Sequence, residues 1–350
     1  MSRASASGTY GWRVVVRLGG PEGVVRLLAV LLLVGLTLEI APWFVAPTAI
    51  GGDVSNYYAA GLRLNAGHPL YALSAGDRPV PIISPYWTVP LLSPPPIAVL
   101  WRPLAVLGDV SMLLWWLANF AATVVAIAYM ILRARVAGLA VICVLSPALV
   151  LSALSGNAVG LLLAALVGGL AARRRGRSEW FGTAIAVAAA VKVAPLALVW
   201  VLIVQRDRRG MKGFAVTGSL IAVASWVGAG AFNWLAYVDV VRSAPTAATP
   251  LSLPSLLGLP TIPTLAVLLA VCSAAASVRP AWALPLMTVP AALCTPAVYF
   301  EALALLSIGT VPVGLMPAMS PGMTSGHPLR PPSAGSKRPA RPAAPGPPAG

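Results

Sequence analysis

Apolar runs recur along the whole chain, and short basic clusters punctuate them. Runs of about 17–25 residues are long enough to cross a bilayer as helices. The pattern predicts spans near residues 27–46, 111–132, 136–152, 157–172, 213–231, 257–277, 281–294 and 296–313. Two apolar segments resist a full crossing. Residues 91–107 carry "SPPP" near their start and Pro103 further on, and read as a re-entrant or interfacial segment. Residues 180–205 are interrupted at "VKVAP", where Pro195 breaks the helix. Two longer stretches, 47–90 and 232–256, lie between the runs. The predicted fold class is all-α: a polytopic integral membrane bundle of about ten to twelve transmembrane or re-entrant helices. Neither a soluble domain nor a repeat is evident.

Composition agrees with this pattern. The chain has 350 residues, of which 58% are apolar and only 9% charged. Its mean hydropathy is +0.85. A soluble domain of that length needs a far more charged surface. The 34 prolines point to broken helices and structured loops, which are tolerated at membrane depth only when packed in protein or lining a cavity. Cys143, Cys272 and Cys294 all fall in apolar segments. They read as small core residues, with neither zinc spacing nor a disulfide framework. The net charge of +15 raises the question of nucleic acid. The basic residues sit in short clusters between apolar runs, as in cytoplasmic loops under the positive-inside rule, so the distribution excludes that reading.

Those clusters set a topology. Arg3, Arg13, Arg17 and Arg26 place residues 1–26 in the cytoplasm as a basic N-terminus. The first run, ending in "EIAPWFVAP", then reads as a first transmembrane helix rather than a cleavable signal. Arg133 and Arg135, "RRRGR" at 173–177, "RDRRGMK" at 206–212, and Arg279 belong on the same inner side. For both arginine-rich loops to be inside, residues 180–205 must enter and return. Each arm is then about 18 Å long, half a bilayer. Lys192 falls at the tip of that hairpin, in the outer half of the membrane. Residues 27–315 form the membrane body, with 47–90 on the outer side. The Pro-rich basic tail, 316–350, reads as disordered and cytoplasmic.

Only nine residues are acidic, so each can be placed. Glu22, Glu179 and Asp207 sit among cytoplasmic arginines. Glu39, Asp53, Asp77, Asp109, Asp239 and Glu301 fall on the outer side or within the membrane, as do Arg63, Arg78, Arg102, Lys192 and Arg242. Ionisable groups at membrane depth cost about 2.5–3.5 kcal/mol on insertion scales, so they pair or line a pathway. Their convergence suggests a polar, partly enclosed outer cavity. Asp77 suits a turn, Asp109 a helix cap, and Glu39 an ion pair with an outer arginine. His68 in "NAGHPLY" reads as turn or packing. Asp53 follows Gly51 and Gly52 and precedes "VSNYY". It reads either as a helix N-cap or as a carboxylate facing a ligand, with Asn56, Tyr57 and Tyr58 as polar handles. Lys192, in an Ala/Val run, needs a partner or a ligand.

One exposed carboxylate with lysine and arginine at membrane depth suits a sugar carried on a lipid phosphate. The leaving group is already a good anion, so a general acid is not demanded. What remains is a base for the acceptor hydroxyl and cations for the departing phosphate. Asp53 and Lys192 fit those two roles, and a single displacement inverts the anomeric centre.

Three stretches carry a resemblance: "GGDVSNYYAAGLRLNAGHPLY", "SPPPIAVLWRPLAVL", and the long segment from "SGNAVG" through "RRRGR" and "VKVAP" to "QRDRR". In this order they resemble the polyprenyl-phosphate-sugar-dependent membrane glycosyltransferases of family 87, of GT-C type, common in actinobacteria. The likeness covers roughly residues 25–310. It implies a GT-C-type catalytic bundle in the plasma membrane with its active site extracytoplasmic. It implies Asp53 as catalytic base, a polyprenyl-phosphate mannose donor, and glycolipid, glycan or glycoprotein acceptors. Lys192 is then the foremost candidate for the donor phosphate, with Arg63, Arg78 and Arg102 as helpers. Tyr57, Tyr58, Trp87, Asn157 and Glu301 are candidate substrate contacts; for Tyr57, Tyr58 and Trp87 packing is the competing role, and for Asn157 capping of the following helix. Two departures stand out. Ser93 occupies a position where the family usually has Tyr, although "SPYW" at 84–87 lies nearby. "TPAVYFEALALL" offers Tyr299 and Glu301 without the family's histidine.

Neither a cofactor nor a metal motif is expected. Rival readings are an arabinosyltransferase using a lipid-linked pentose, a transporter of lipid-linked sugars, and a catalytically silent scaffold. The transporter reading calls for paired half-helices in two related repeats, which the sequence does not display.

Overall fold

The computed structural model describes residues 21–45, 52–72, 91–243, 257–294 and 300–311. The N-terminal 20 residues, the segment with Asp77, Arg78 and Trp87, and the Pro-rich tail lie outside them. The described elements are all helical, as expected of an α-helical integral membrane protein. α1 (Pro21–Val45) is the first apolar helix, α2 (Gly52–Asn65) and α3 (Pro95–Ala105) are short, and α4 (Asp109–Arg133) is long. α5 (Val136–Val144), α6 (Ser146–Leu154), α7 (Val159–Arg174) and α8 (Ser178–Val191) follow. A 3₁₀ turn (Ala194–Leu198) leads into α9 (Val199–Val204) and then α10 (Arg208–Ser243). α11 (Thr261–Val278), α12 (Ala283–Leu293) and a 3₁₀ stretch (Phe300–Thr310) complete the order.

Among the described residues three helices are long and apolar enough to cross a membrane: Glu22–Pro42, Asp109–Arg133 and Arg208–Arg242. They bury little of their apolar surface, and Leu28, Leu31, Val125, Leu132, Leu220 and Val227 are exposed. Such a surface suits contact with lipid. The predicted span 136–152 is instead a pair of helices bent by 58°, with Pro147 at the start of α6. Proline cannot donate its backbone nitrogen to the preceding turn. The predicted span 296–313 is in 3₁₀ form where it is described. Ser307 and Thr310 each donate a side-chain hydroxyl to the carbonyl three residues back. α3 has 11 residues, about 16 Å, too short to cross and in keeping with a re-entrant or interfacial segment.

Helix directions follow from named contacts. Asn119 on α4 accepts from the Leu161 amide of α7 at 3.1 Å, and further along Arg174 donates to the Tyr129 hydroxyl at 3.4 Å. These two helices therefore run parallel, with the bent α5–α6 pair as the return. α8 and α10 are also parallel. Gly182 meets Gly210, Thr183 bonds Thr217 at 3.0 Å, and Ala186 lies against Gly218. A methyl group added at Gly182 would collide with the Gly210 carbonyl, so glycine here lets the two backbones touch.

Two parallel helices starting side by side force residues between them to come back. The chain breaks at Lys192 (φ −138°, ψ 126°), beyond the last helical residue of α8. It returns through the 3₁₀ turn and α9. The Arg173 Nε and the Asp207 carboxylate form an ion pair at 2.9 Å, tying the two basic loops together. Both partners are buried. Burial pulls the Arg173 guanidinium below its ordinary value, and the Asp207 charge opposes that. Gln205 donates to the Pro280 carbonyl at 3.0 Å, which brings Arg279 to this end as well. Arg133, packed over Tyr129, joins them. The hairpin and the clustering of basic loops at one end thus match the sequence expectation.

Candidate active site

The opposite end of the bundle is built from α2, α3 and the last part of α10. α10 is broken at Gly230, whose φ of 78° and ψ of 157° leave the helical region. A residue with a Cβ rarely adopts that backbone. The carbonyl of Ala229, just before the break, accepts from Asn233 Nδ2 at 2.7 Å. Asn233 Oδ1 in turn accepts the Leu70 amide at 2.9 Å. The kink is thereby stitched to the turn that follows α2.

α2 was expected to be part of an outer loop, with Asp53 as its possible cap. The structure makes residues 52–65 a helix, with Asp53 as its second residue rather than its cap. The side chains of Asp53 and Glu301 lie outside the described set. Asp53 stands one turn before Tyr57, and Tyr57 is buried against Trp101 (ring centroids 6.4 Å) and Trp115 (6.0 Å). Trp115 donates its indole N–H to the Gly156 carbonyl at 3.0 Å, beside Asn157. Val54, next to Asp53, and Ala158, next to Asn157, belong to one buried cluster, and Val191, next to Lys192, packs against it. The end that carries Asp53 is therefore also the end reached by Asn157 and by the Lys192 break.

The individual side chains divide in use. Arg63 is buried and donates through Nε and Nη2 to the Pro69 carbonyl, closing the turn after α2. Arg102 donates to Asn65 Oδ1 at 3.0 Å and to the Gly228 carbonyl at 3.1 Å, while Asn65 returns a bond to the Arg102 carbonyl at 2.9 Å. Both arginines, expected near the donor phosphate, thus act in the structure as fasteners of α2, α3 and α10. Arg102 keeps partial exposure. Asn157 is buried, and its Oδ1 accepts the Val159 amide at 3.1 Å, so it shapes the start of α7. Tyr58 and Lys192 are half-buried. Arg78 and Trp87 lie outside the described residues.

Sequence reasoning missed Trp101, Trp115, Asn65, Tyr71 and Asn233 as builders of this end. Tyr71 donates to the Ser93 carbonyl at 2.8 Å, linking the Asp53 helix to the proline segment. Burial pushes the Tyr71 hydroxyl well above the ordinary phenol range. The Trp101 indole nitrogen is buried and has no hydrogen-bond partner among the described residues. The apolar spacing Val54, Tyr57, Gly61, Leu64 was the available signal for the helix. Among the described residues no group of His, Cys, Asp and Glu could hold a metal ion.

An all-helical membrane chain with a broken hairpin, its basic loops at one end and a carboxylate-bearing helix at the other, defines a polytopic membrane protein with a candidate site remote from its basic face. The sequence model of glycosyltransferase family 87 matches residues 92–321, about two-thirds of the chain, and the protein belongs to that family. It is a glycosyltransferase. The match takes in the proline segment, Asn157, the Lys192 hairpin and Glu301, and it begins after the Asp53 helix. No curated protein and no solved structure matches the chain.

Proposed function

We propose that this enzyme transfers a hexose, mannose in the first instance, from a polyprenyl-phosphate donor to a glycolipid, glycan or protein acceptor. The reaction takes place at the plasma membrane, on its extracytoplasmic side, within a GT-C-type bundle. Asp53 takes the proton of the acceptor hydroxyl as its oxygen attacks the anomeric carbon. The bond from that carbon to the phosphate oxygen breaks, and polyprenyl phosphate departs with the electron pair. One displacement inverts the anomeric centre. A positioned base contributes about 10²–10⁴-fold. Lys192 faces the phosphate, where a fixed cation in a site shielded from water is worth more than in bulk.

The observation that supports this reading most is that the Asp53 helix and the Lys192 break border one buried cluster. Val54 and Val191, their immediate neighbours, pack in the same cluster, at the end away from the arginine loops. Lys192 lies 14 helical residues beyond the basic end, about 21 Å, a length greater than half the hydrocarbon thickness of a bilayer. A donor whose lipid tail lies in the membrane and whose sugar lies at its outer surface would meet both groups.

The test supplies membranes carrying the protein with radiolabelled polyprenyl-phosphate mannose or with the arabinose counterpart, and analyses the product. Label moved from the mannose donor to an acceptor, with inverted configuration, is expected. Label taken only from the pentose donor would replace the hexose reading. Donor that crosses the membrane unchanged would replace transfer with transport.

A further inference from the structure

The face of the bundle that carries the basic loops holds a second feature with chemistry of its own. Between α8 and α10 lies an open cavity of about 450 Å³, lined by Glu179, Thr183, Arg209, Lys212, Gly213, Val216 and Thr217. It opens where the two helices begin, side by side and in the same direction. The positive ends of both helix dipoles lie at this end, and Asp207 caps α10 by accepting the Gly210 amide at 2.9 Å. Arg209 and Lys212 are exposed at the mouth. Deeper in, Thr183 and Thr217 hydrogen-bond each other, with Val216 exposed on the outer lip. Trp180, one residue past Glu179, is 56% exposed. Tryptophan in that setting marks the membrane–water interface.

We propose that this groove binds the headgroup of an anionic phospholipid from the inner leaflet. The phosphodiester sits between Arg209 and Lys212, and the acyl chains leave along the exposed apolar side of α10, past Val216 and Leu220. The groove joins a cationic mouth to a lipid-facing apolar wall, which a soluble anion would not need. Glu179 is the one carboxylate in the lining. It sits in the first turn of α8 and gives the groove a means to prefer headgroups that also carry a hydroxyl or an amine. The site is at the opposite end from Asp53 and does not depend on the transfer reaction.

The test reads lipid retention rather than activity. The purified full-length protein is reconstituted with a mixture of phosphatidylglycerol and phosphatidylcholine, and retained lipids are counted by native mass spectrometry. The Arg209→Gln/Lys212→Gln double variant is compared with Arg133→Gln/Arg135→Gln, which removes the same charge from the same end but away from the groove. The groove variant should lose one retained phosphatidylglycerol, with affinity for it down about thirtyfold, roughly the worth of two charges at a membrane surface. The control should keep it. Equal losses in both variants would mean diffuse surface charge and would overturn the proposal. So would displacement of the lipid by inorganic phosphate alone, or equal retention of phosphatidylcholine. Should the double variant lose its fold, Val216→Trp blocks the groove by bulk at an exposed position and carries the same expectation.

Discussion

Arg173 Nε and the Asp207 carboxylate meet at 2.9 Å, with both side chains almost wholly buried. They lie 34 positions apart in sequence, so this contact closes the base of the hairpin that breaks at Lys192. Removing one partner of a buried pair leaves an uncompensated charge and costs about 3–5 kcal/mol. Asp207→Ala should lower stability by that order, measured by thermal unfolding in detergent. The Arg173→Met/Asp207→Leu double variant should lie much closer to wild type. A mild single variant would mean that the pair does not hold the loops.

α8 and α10 touch through glycine. Gly182→Ala should separate them and cost about 1–3 kcal/mol, the usual penalty of overpacking. Gly168 on α7 has open space where a Cβ would go, so Gly168→Ala should be neutral or stabilising, by up to about 1 kcal/mol. Thermal unfolding of the two variants side by side checks this. Similar behaviour of both would contradict the close packing.

The ends of the bundle make a prediction about membrane sides. In a background with Cys143, Cys272 and Cys294 replaced by alanine, Arg175→Cys and Arg208→Cys should react with an impermeant maleimide from the same side. Asp53→Cys should react only from the other. Labelling of all three from one side would break the proposed topology.

Lys192 offers a contrast of charge and shape. Lys192→Met should cut transfer by about a hundredfold or more, in line with losing one group that stabilises developing charge. Lys192→Arg should recover part of it, with a changed KM for the donor. A Lys192→Met enzyme with wild-type kcat and KM would assign the lysine to packing alone.

Much of this arrangement was legible in the sequence, because charge and proline carry strong local signals. The arginine clusters placed three loops on one side, and arithmetic on residues 180–205 then required a return. The structure has that return, broken at Lys192 and sealed by Arg173 and Asp207. α2 was harder to see. Its glycines and polar residues resemble a loop, and only the spacing of Val54, Tyr57, Gly61 and Leu64 betrays a buried face. The bend between α5 and α6 was hidden by continuous hydropathy, with Pro147 as the sole hint. The roles of Arg63 and Arg102 were not legible, since their partners are backbone carbonyls of Pro69 and Gly228 that hydropathy does not reveal. A basic residue on the outer side looks the same in sequence whether it grips a phosphate or a turn.

The most direct test of the central claim is transfer from radiolabelled polyprenyl-phosphate mannose by membranes carrying wild type or Asp53→Asn at matched protein levels. The substitution keeps size and removes the base. Transfer should fall about 10²–10⁴-fold, with donor binding retained. Equal transfer by the two proteins would take Asp53 out of the reaction and with it the proposed mechanism.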